Sequence, residues 1–432
     1  MKTILYLPTR YFPAISGAEL YIQRLAEIFK KDFKCDVDIF TSNALDFKAL
    51  RDPKGKIVKE TNKYFSNVNN VDVYRFPVSY KEEPGESLQE LKKIPILESL
   101  QIPDEILSQL LKNGPYLKEM IDRFLNYKQK DYDIIHTTFF PYFNLIIALL
   151  IGKILKKPVI CTPFFHFSNP RYLNSNVITI LRNFDMLIAC TSIEKDYLIN
   201  NLNLTESKIT TIPMGVDFDK FTILKGIFNF KDHYFMRKER NYKLVLFCGY
   251  KNFEKGAISI LKAIPLILEK YPKVYFTFIG PSTTAFNREI VKTKKNTKTR
   301  IINLTPDNLT GYFDKNKITA FMESDIYLMP SRSDAYGIAF LEAWSAGKPV
   351  IGAKIGATPE VIQDNINGLL VEFDNPHNIA DQVVKLLRNK KLRKRLGEQG
   401  KAKVETFHSW RNIANMTKKV YDNLINTRSD RN

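Results

Sequence analysis

A chain of 432 residues, 44 % of them hydrophobic, can hold two large domains at about 150 residues each. Its 18 glycines and 21 prolines are scattered along the chain, which excludes collagen-like and low-complexity classes. The 65 Lys and Arg outnumber the 46 Asp and Glu, for a formal charge of +19, so anionic partners such as nucleotide phosphates or lipid headgroups are favoured.

Strand-like and helix-like runs alternate over nearly the whole length, the pattern of parallel sheets covered by helices. Thr3–Leu7 reads as a short apolar strand, and 18–29 has the helical spacing of Leu20, Ile22, Leu25 and Ile28. Further strands are expected at 36–41, 71–76, 134–136, 159–162 and 186–190. Between Val78 and Pro115 the pattern is broken at 82–84, Pro95, Pro103 and Gly114–Pro115, which predicts an insertion of short helices. The apolar run 142–152 is too short to span a bilayer, which takes about 20 residues, and reads as a helix buried against a sheet.

A second series starts after Ile212–Asp217 (IPMGVD). Strands are expected at 243–248, 274–279, 300–304, 326–329 and 349–353, with helices at 257–270 and near 337–346. The predicted fold class is α/β: two Rossmann-like domains facing across a cleft.

The N-terminus reaches Pro8 and Arg10 too soon for a signal peptide. Cys35, Cys161, Cys190 and Cys248 are far apart and form no C-x-x-C pair, which argues against zinc and a disulfide framework. A reduced cytoplasmic setting is expected. The basic stretches Arg288–Arg300 and Lys385–Lys403 read first as solvated faces. Docking to an anionic membrane at its inner face is the sharper reading of the same charges. Nucleic acid is not an expected partner, because no basic motif is interleaved with aromatics.

The strongest chemical signal is Pro330–Ala343 (PSRSDAYGIAFLEA), where a buried strand gives way to a small polar loop and then a helix. Ligands in open α/β sheets bind beyond the carboxyl ends of strands, and a helix N-terminus there suits a phosphate. Gly337 leaves the approach open, while Asp334 in the loop and Glu342 in the helix offer carboxylates to hydroxyl groups. On spacing alone, a loop acid and a surface helix acid fit equally well.

The segment resembles the E-x7-E motif of the retaining GT-B glycosyltransferases of family 4. The resemblance continues through Ala346–Val350 (AGKPV), Gly356–Val361 (GATPEV) and Asn367–Val371 (NGLLV). Asp334 stands where the family has Glu. Tyr11–Glu19 looks like the family's first glycine loop, with Ser16 for one of two glycines and Gly17 retained. Gly249–Gly256 resembles its G-R-x(4–5)-K-G loop, with Tyr250 in place of Arg, and Lys251 or Arg332 is the candidate replacement cation. His166 follows a strand as the family's first-domain histidine does, and His136 is the weaker candidate. Ile212–Asp217 is similar to the interdomain P-N-G-V-D, with Met214 for Asn. Phe407–Trp410 followed by an amphipathic helix resembles the C-terminal element that returns to the first domain.

This resemblance implies an N-terminal acceptor-side domain at 1–213, completed by a helix at 409–432, and a donor-binding domain at 214–408. It implies transfer of a sugar, with retention, from a nucleotide diphosphate to an acceptor hydroxyl. His166, Asp334 and Glu342 inherit catalytic roles. Gly17, Gly249, Lys255, Tyr336, Gly337, Ile338 and again Glu342 inherit donor binding. Lys255 would offset charge on the departing diphosphate, so neither metal nor a further cofactor is expected. The D-x-D strings 36–38, 131–133 and 217–219 fall in or beside a strand or in the linker motif and are discounted as metal sites. The acceptor is a lipid-linked glycan, a soluble glycan or a small molecule. A nucleotide-sugar epimerase of the same fold and a glycoside hydrolase are the alternatives.

Overall fold

The structure is a computed structural model and describes residues 1–59, 65–80, 84–222, 228–297 and 300–429. Two compact units emerge. The first comprises Met1–Phe165, Pro170–Pro213 and Arg411–Asn432; the second comprises His166–Asn169 and Met214–Trp410.

The first unit holds β1 (Thr3–Leu7), β2 (Asp36–Ser42), β3 (Phe65–Val68), β4 (Val71–Phe76), β5 (Ile134–Thr138), β6 (Val159–Thr162), β7 (Met186–Ala189) and β8 (Ile209–Thr211). They form one sheet in the order β3-β4-β2-β1-β5-β6-β7-β8, parallel except for β3 on β4. Strands buried on both faces read as continuous apolar runs, which is why β1, β6 and β7 were legible. The edge strand β3 is half exposed (FSNV), and β8 has only three residues, so neither carries such a run.

The helix Asn144–Leu155 is apolar all round because its residues 144–152 are all buried. Within 78–115, residues 81–83 lie outside the described residues. The remainder holds the helices Pro84–Lys92 and Asp104–Asn113 with the 3-10 turn Pro95–Leu100 between them.

The C-terminal helix Trp410–Ser429 belongs to this unit from Arg411 onward. Tyr421 fastens it: its hydroxyl bonds Nδ1 of His136 on β5 at 2.6 Å and donates to the Tyr6 hydroxyl on β1 at 3.2 Å. Lys2 pairs with Asp422 at the same seam.

The second unit holds β9 (Lys243–Cys248), β10 (Val274–Ile279), β11 (Ile301–Leu304), β12 (Ile326–Met329), β13 (Val350–Ala353) and β14 (Gly368–Val371). All run parallel in the order β11-β10-β9-β12-β13-β14. This is the doubly wound order in which the direction of strand addition reverses between the first and fourth strands, here β9 and β12. In the first unit the reversal falls between β1 and β5.

One helix pair sets the position of the segment after β12. The helix Lys390–Phe407 crosses Ile338–Ser345 through two glycines. A Cβ on Gly397 would lie 2.2 Å from the Gly347 carbonyl oxygen, and one on Gly400 would lie 1.9 Å from Cδ1 of Trp344. Trp344 is fully buried and donates to the Asn367 carbonyl at 2.9 Å, so it cannot withdraw cheaply. Alanine ordinarily stabilises a helix interior over glycine by about 1 kcal/mol. At this crossing, overpacking costs about 1–3 kcal/mol and wins. Gly400→Ala is therefore expected to lower the thermal unfolding midpoint, a sign opposite to that of an exposed helical glycine.

Candidate active site

The loops after β9 and β12 meet because these strands are neighbours in the sheet. Gly256 makes the contact: its φ is +74°, and a Cβ there would lie 2.3 Å from the Pro330 carbonyl oxygen. Backbone and side chain then join the two loops. Arg332 N donates to the Glu254 carbonyl at 2.8 Å, and the Ser331 hydroxyl donates to the same oxygen at 3.2 Å. The Arg332 guanidinium grips the Glu254 carboxylate through Nε at 3.0 Å and Nη2 at 2.6 Å.

Within this frame the Lys255 ammonium donates to the Ser333 carbonyl at 2.9 Å and to Oδ1 of Asp334. Asp334 Oδ2 is buried and has no hydrogen-bond partner. A buried carboxylate oxygen left unpaired carries a desolvation cost, and a hydroxyl group from a ligand would remove it.

His166 joins the same cluster. Its Nδ1 bonds the Ser333 hydroxyl at 2.7 Å; the Ser168 hydroxyl donates to the Arg332 carbonyl, and Asn169 donates to the Ser333 hydroxyl at 3.3 Å. These bonds explain why 166–169 group with the second unit although they fall within 1–213. The imidazole is desolvated although the residue as a whole is half-buried. Burial first, and then the Lys255 ammonium, push its pKa down to about 4. It is neutral at pH 7.

Gly337, at φ +90°, opens the helix Ile338–Ser345; the Phe340 N–H donates back to the Gly337 carbonyl at 2.9 Å, and the N–H groups before it have no helical acceptor. Tyr336 is buried, with its hydroxyl 3.4 Å from Nε2 of His408. Glu342 is not a surface acid, for it is 2 % exposed. Its Oε1 accepts from the Lys317 ammonium at 2.7 Å, and that ammonium also lies 3.6 Å from the centroid of the Tyr312 ring. The Tyr312 hydroxyl is held well above its ordinary pKa by burial and then by the Glu342 charge.

His166, Lys255 and Asp334 are thus brought together. Glu342 and Tyr336 stand on the adjoining segment but bond other partners, and Gly249 directly follows β9 at the base of the Lys255 loop. Gly17 belongs to the first unit, where it begins the helix Gly17–Lys31. Lys317, Tyr312 and Ser333 were missed in sequence. Lys317 is 25 residues from Glu342 on another helix, a separation that no local pattern marks.

The two candidate replacement cations are both engaged inside the unit. Arg332 is held by Glu254. Lys251 is buried, donates to Oδ1 of Asn303 at 2.6 Å and the Leu304 carbonyl at 2.9 Å, and has its pKa pushed down to about 8 by burial. His136 is a core residue of the first unit, bonded to Tyr421 and, at 2.8 Å, to Thr162. The D-x-D acids have structural partners: Asp38 holds Lys130 and Tyr132, Asp133 accepts from Thr3 N, and Asp217 accepts from the Trp410 indole.

The chain thus holds two parallel-sheet α/β units, the second of them doubly wound with a lysine, an orphan carboxylate oxygen and a helix N-terminus at its reversal point, and this is the architecture of the GT-B glycosyltransferases. Residues 15–220 match the model of glycosyltransferase family 4, and residues 230–403 match that of glycosyl transferases group 1; the chain belongs to these glycosyltransferases. An uncharacterized glycosyltransferase of Methanocaldococcus jannaschii is 29 % identical over 65 % of this chain and 80 % of its own length. Sucrose-phosphate synthase from Thermosynechococcus elongatus has the same fold, with a TM-score of 0.71 at 16 % identity over 99 % of this chain and 100 % of its own. So does Anabaena HepE in complex with UDP-glucose, with a TM-score of 0.70 at 14 % identity over 98 % and 100 %.

Breaking a buried ion pair by removing one partner costs about 3–5 kcal/mol, because the other charge stays buried. Lys317→Met is therefore expected to lower the unfolding midpoint sharply, and Lys317→Met/Glu342→Leu to recover most of the loss in the same melt.

Proposed function

We propose that the protein transfers a sugar, with retention of anomeric configuration, from a nucleoside diphosphate to an acceptor hydroxyl. The observation that carries this reading is the Lys255–Asp334 pair at the β9/β12 reversal point, with Asp334 Oδ2 buried and unpartnered. The donor diphosphate takes Lys255 together with the N–H groups at Gly337 and Ile338, where the helix dipole favours negative charge. Asp334 is thereby released from the lysine to accept a hydroxyl of the sugar. Glu342, held by Lys317, is the carboxylate for the nucleoside ribose.

In the transfer step the bond from the anomeric carbon to the β-phosphate oxygen breaks, and its electron pair leaves with the diphosphate. The acceptor oxygen bonds the same face of the sugar, and its proton passes to the departing phosphate oxygen. Lys255 and the helix N-terminus stabilise the charge that gathers there. His166, neutral above about pH 4, bonds a sugar hydroxyl rather than acting as a cation. No metal is required in this scheme.

UDP leads the candidate donors, since it is the nucleotide of the Anabaena complex, which has the same fold. Calorimetric titration with UDP, GDP and ADP tests the reading. One nucleotide is expected to bind, at least about ten-fold more weakly in Lys255→Ala, the scale of a lost charge-assisted hydrogen bond. Asp334→Asn is expected to keep nucleotide binding and lose transfer, and wild-type turnover is expected to persist in EDTA. Failure of the folded protein to bind all three nucleotides would sink the proposal.

A further inference from the structure

The first unit carries a loop, residues 43–59, that the proposed transfer reaction does not use. It is a built structure rather than a loose connection. At its neck Ala44 bridges Ile57 in antiparallel fashion, Leu45 N donates to the Lys56 carbonyl at 2.8 Å, and Val58 N donates to the Asn43 carbonyl at 2.8 Å. Asp46 braces it from within, accepting from Ala49 N at 2.8 Å and Lys56 N at 3.1 Å. From outside, Arg10 donates to the Leu45 carbonyl at 3.2 Å and Tyr80 donates to the Ala49 carbonyl at 2.6 Å.

This ordered loop nevertheless presents apolar side chains to solvent. Phe47 is 40 % exposed although Arg10 stacks 3.6 Å from its ring centroid, and Ile57 is 43 % exposed. The neighbouring loop after β1 exposes Phe12 and Ile15 as well. Interspersed with Phe47 and Ile57 are Lys48, Arg51, Lys54, Lys56 and Lys59, all exposed. The loop's only acids are Asp46, which is turned to its own backbone, and Asp52, which accepts from Lys54 N and lies 3.6 Å from Lys48.

Large apolar side chains and cations on one rigid element are the combination that seats in a headgroup layer: the cations meet anionic lipid while the apolar groups enter the acyl boundary. Elsewhere the charge has less of that partner: on the helix Thr284–Thr297 Val291 is exposed beside Arg288, Lys292 and Lys295, but it is the one exposed large hydrophobic among the described residues of 288–300. Lys390, Lys391, Lys394 and Arg395 are exposed, but no large hydrophobic residue within 385–403 is.

We infer that the 43–59 loop docks the protein on an anionic lipid bilayer. The contact thus falls on the first unit and not on the basic stretches 288–300 and 385–403 that the sequence marked. The loop follows β2, the neighbour of β1 in the sheet, and so opens at the same strand-end edge as the Gly17 loop. Resting on the transferase reading, this placement makes a lipid presented at the membrane surface the class of acceptor.

The test is co-sedimentation of the full chain with vesicles of phosphatidylcholine alone or mixed with phosphatidylglycerol. Wild type is expected to partition onto the anionic vesicles. Lys54→Glu/Lys56→Glu, or Lys48→Glu/Arg51→Glu as a second pair, should weaken this at least about ten-fold, and Ile57→Ser about three-fold or more. Lys390→Glu/Lys391→Glu should bind as wild type does. No partition by wild type, undiminished binding by both loop charge variants, or undiminished binding by Ile57→Ser would overturn the inference; the last result would mean plain polyanion attraction. Calorimetry of the loop variants with UDP, GDP and ADP keeps the two readings apart, since loss of vesicle binding with nucleotide binding intact concerns the loop alone.

Discussion

Lys255 and Asp334 lie 79 residues apart in the chain, and they meet because β9 and β12 are hydrogen-bonded neighbours. A parallel sheet cannot pair consecutive strands through a tight turn, so each connection crosses over a face and the chain must wind outward from its first strand. When the winding reverses, the strand that starts the second half lies beside the strand that started the first. Their two loops then diverge from a common crevice. Gly256 lets those loops approach to backbone contact, and the Arg332–Glu254 pair locks them at that distance. The remainder of the site depends on this juncture.

Charge in the site is arranged around that frame. Lys255 and Asp334 neutralise one another at the mouth, and Lys317 and Glu342 do so deeper in, where both side chains are nearly sealed from water. The outer pair is the more solvated of the two. The Asp334 carboxylate lies against the Lys255 ammonium with one oxygen bound and the other buried and unpaired.

The first unit repeats the architecture with other residues in its corners. Its reversal point lies between β1 and β5, and its buried polar groups serve the core. His136 sits between Tyr421 and Thr162, and burial holds its pKa down to about 3, so it is a neutral hydrogen-bonding strut that ties the C-terminal helix to the sheet. The helix Trp410–Ser429 thereby completes a unit whose other strands were laid down far earlier in the chain.

Much of this was legible in sequence because the relevant physics is local. Short apolar runs between helical patterns marked β1, β6, β9, β10 and β12 to within a residue, since a strand buried on both faces must be apolar throughout. The loop chemistry of 249–256 and 330–343 was marked by glycines and by residues that a strand-to-helix turn requires. The tertiary structure alone decided what those residues bond. Nothing near Glu342 in the chain indicates that Lys317 will neutralise it. Likewise, nothing near Arg332 indicates that Glu254 will claim it instead of a ligand, and residues 166–169 leave no local sign that they fasten to Ser333 and Arg332. A count of lysines likewise carries no information about which exposed apolar side chains stand beside them. Secondary structure follows from a residue's immediate neighbours, whereas the partner of a buried charge is set by sheet order, and sheet order is settled only when the whole unit closes.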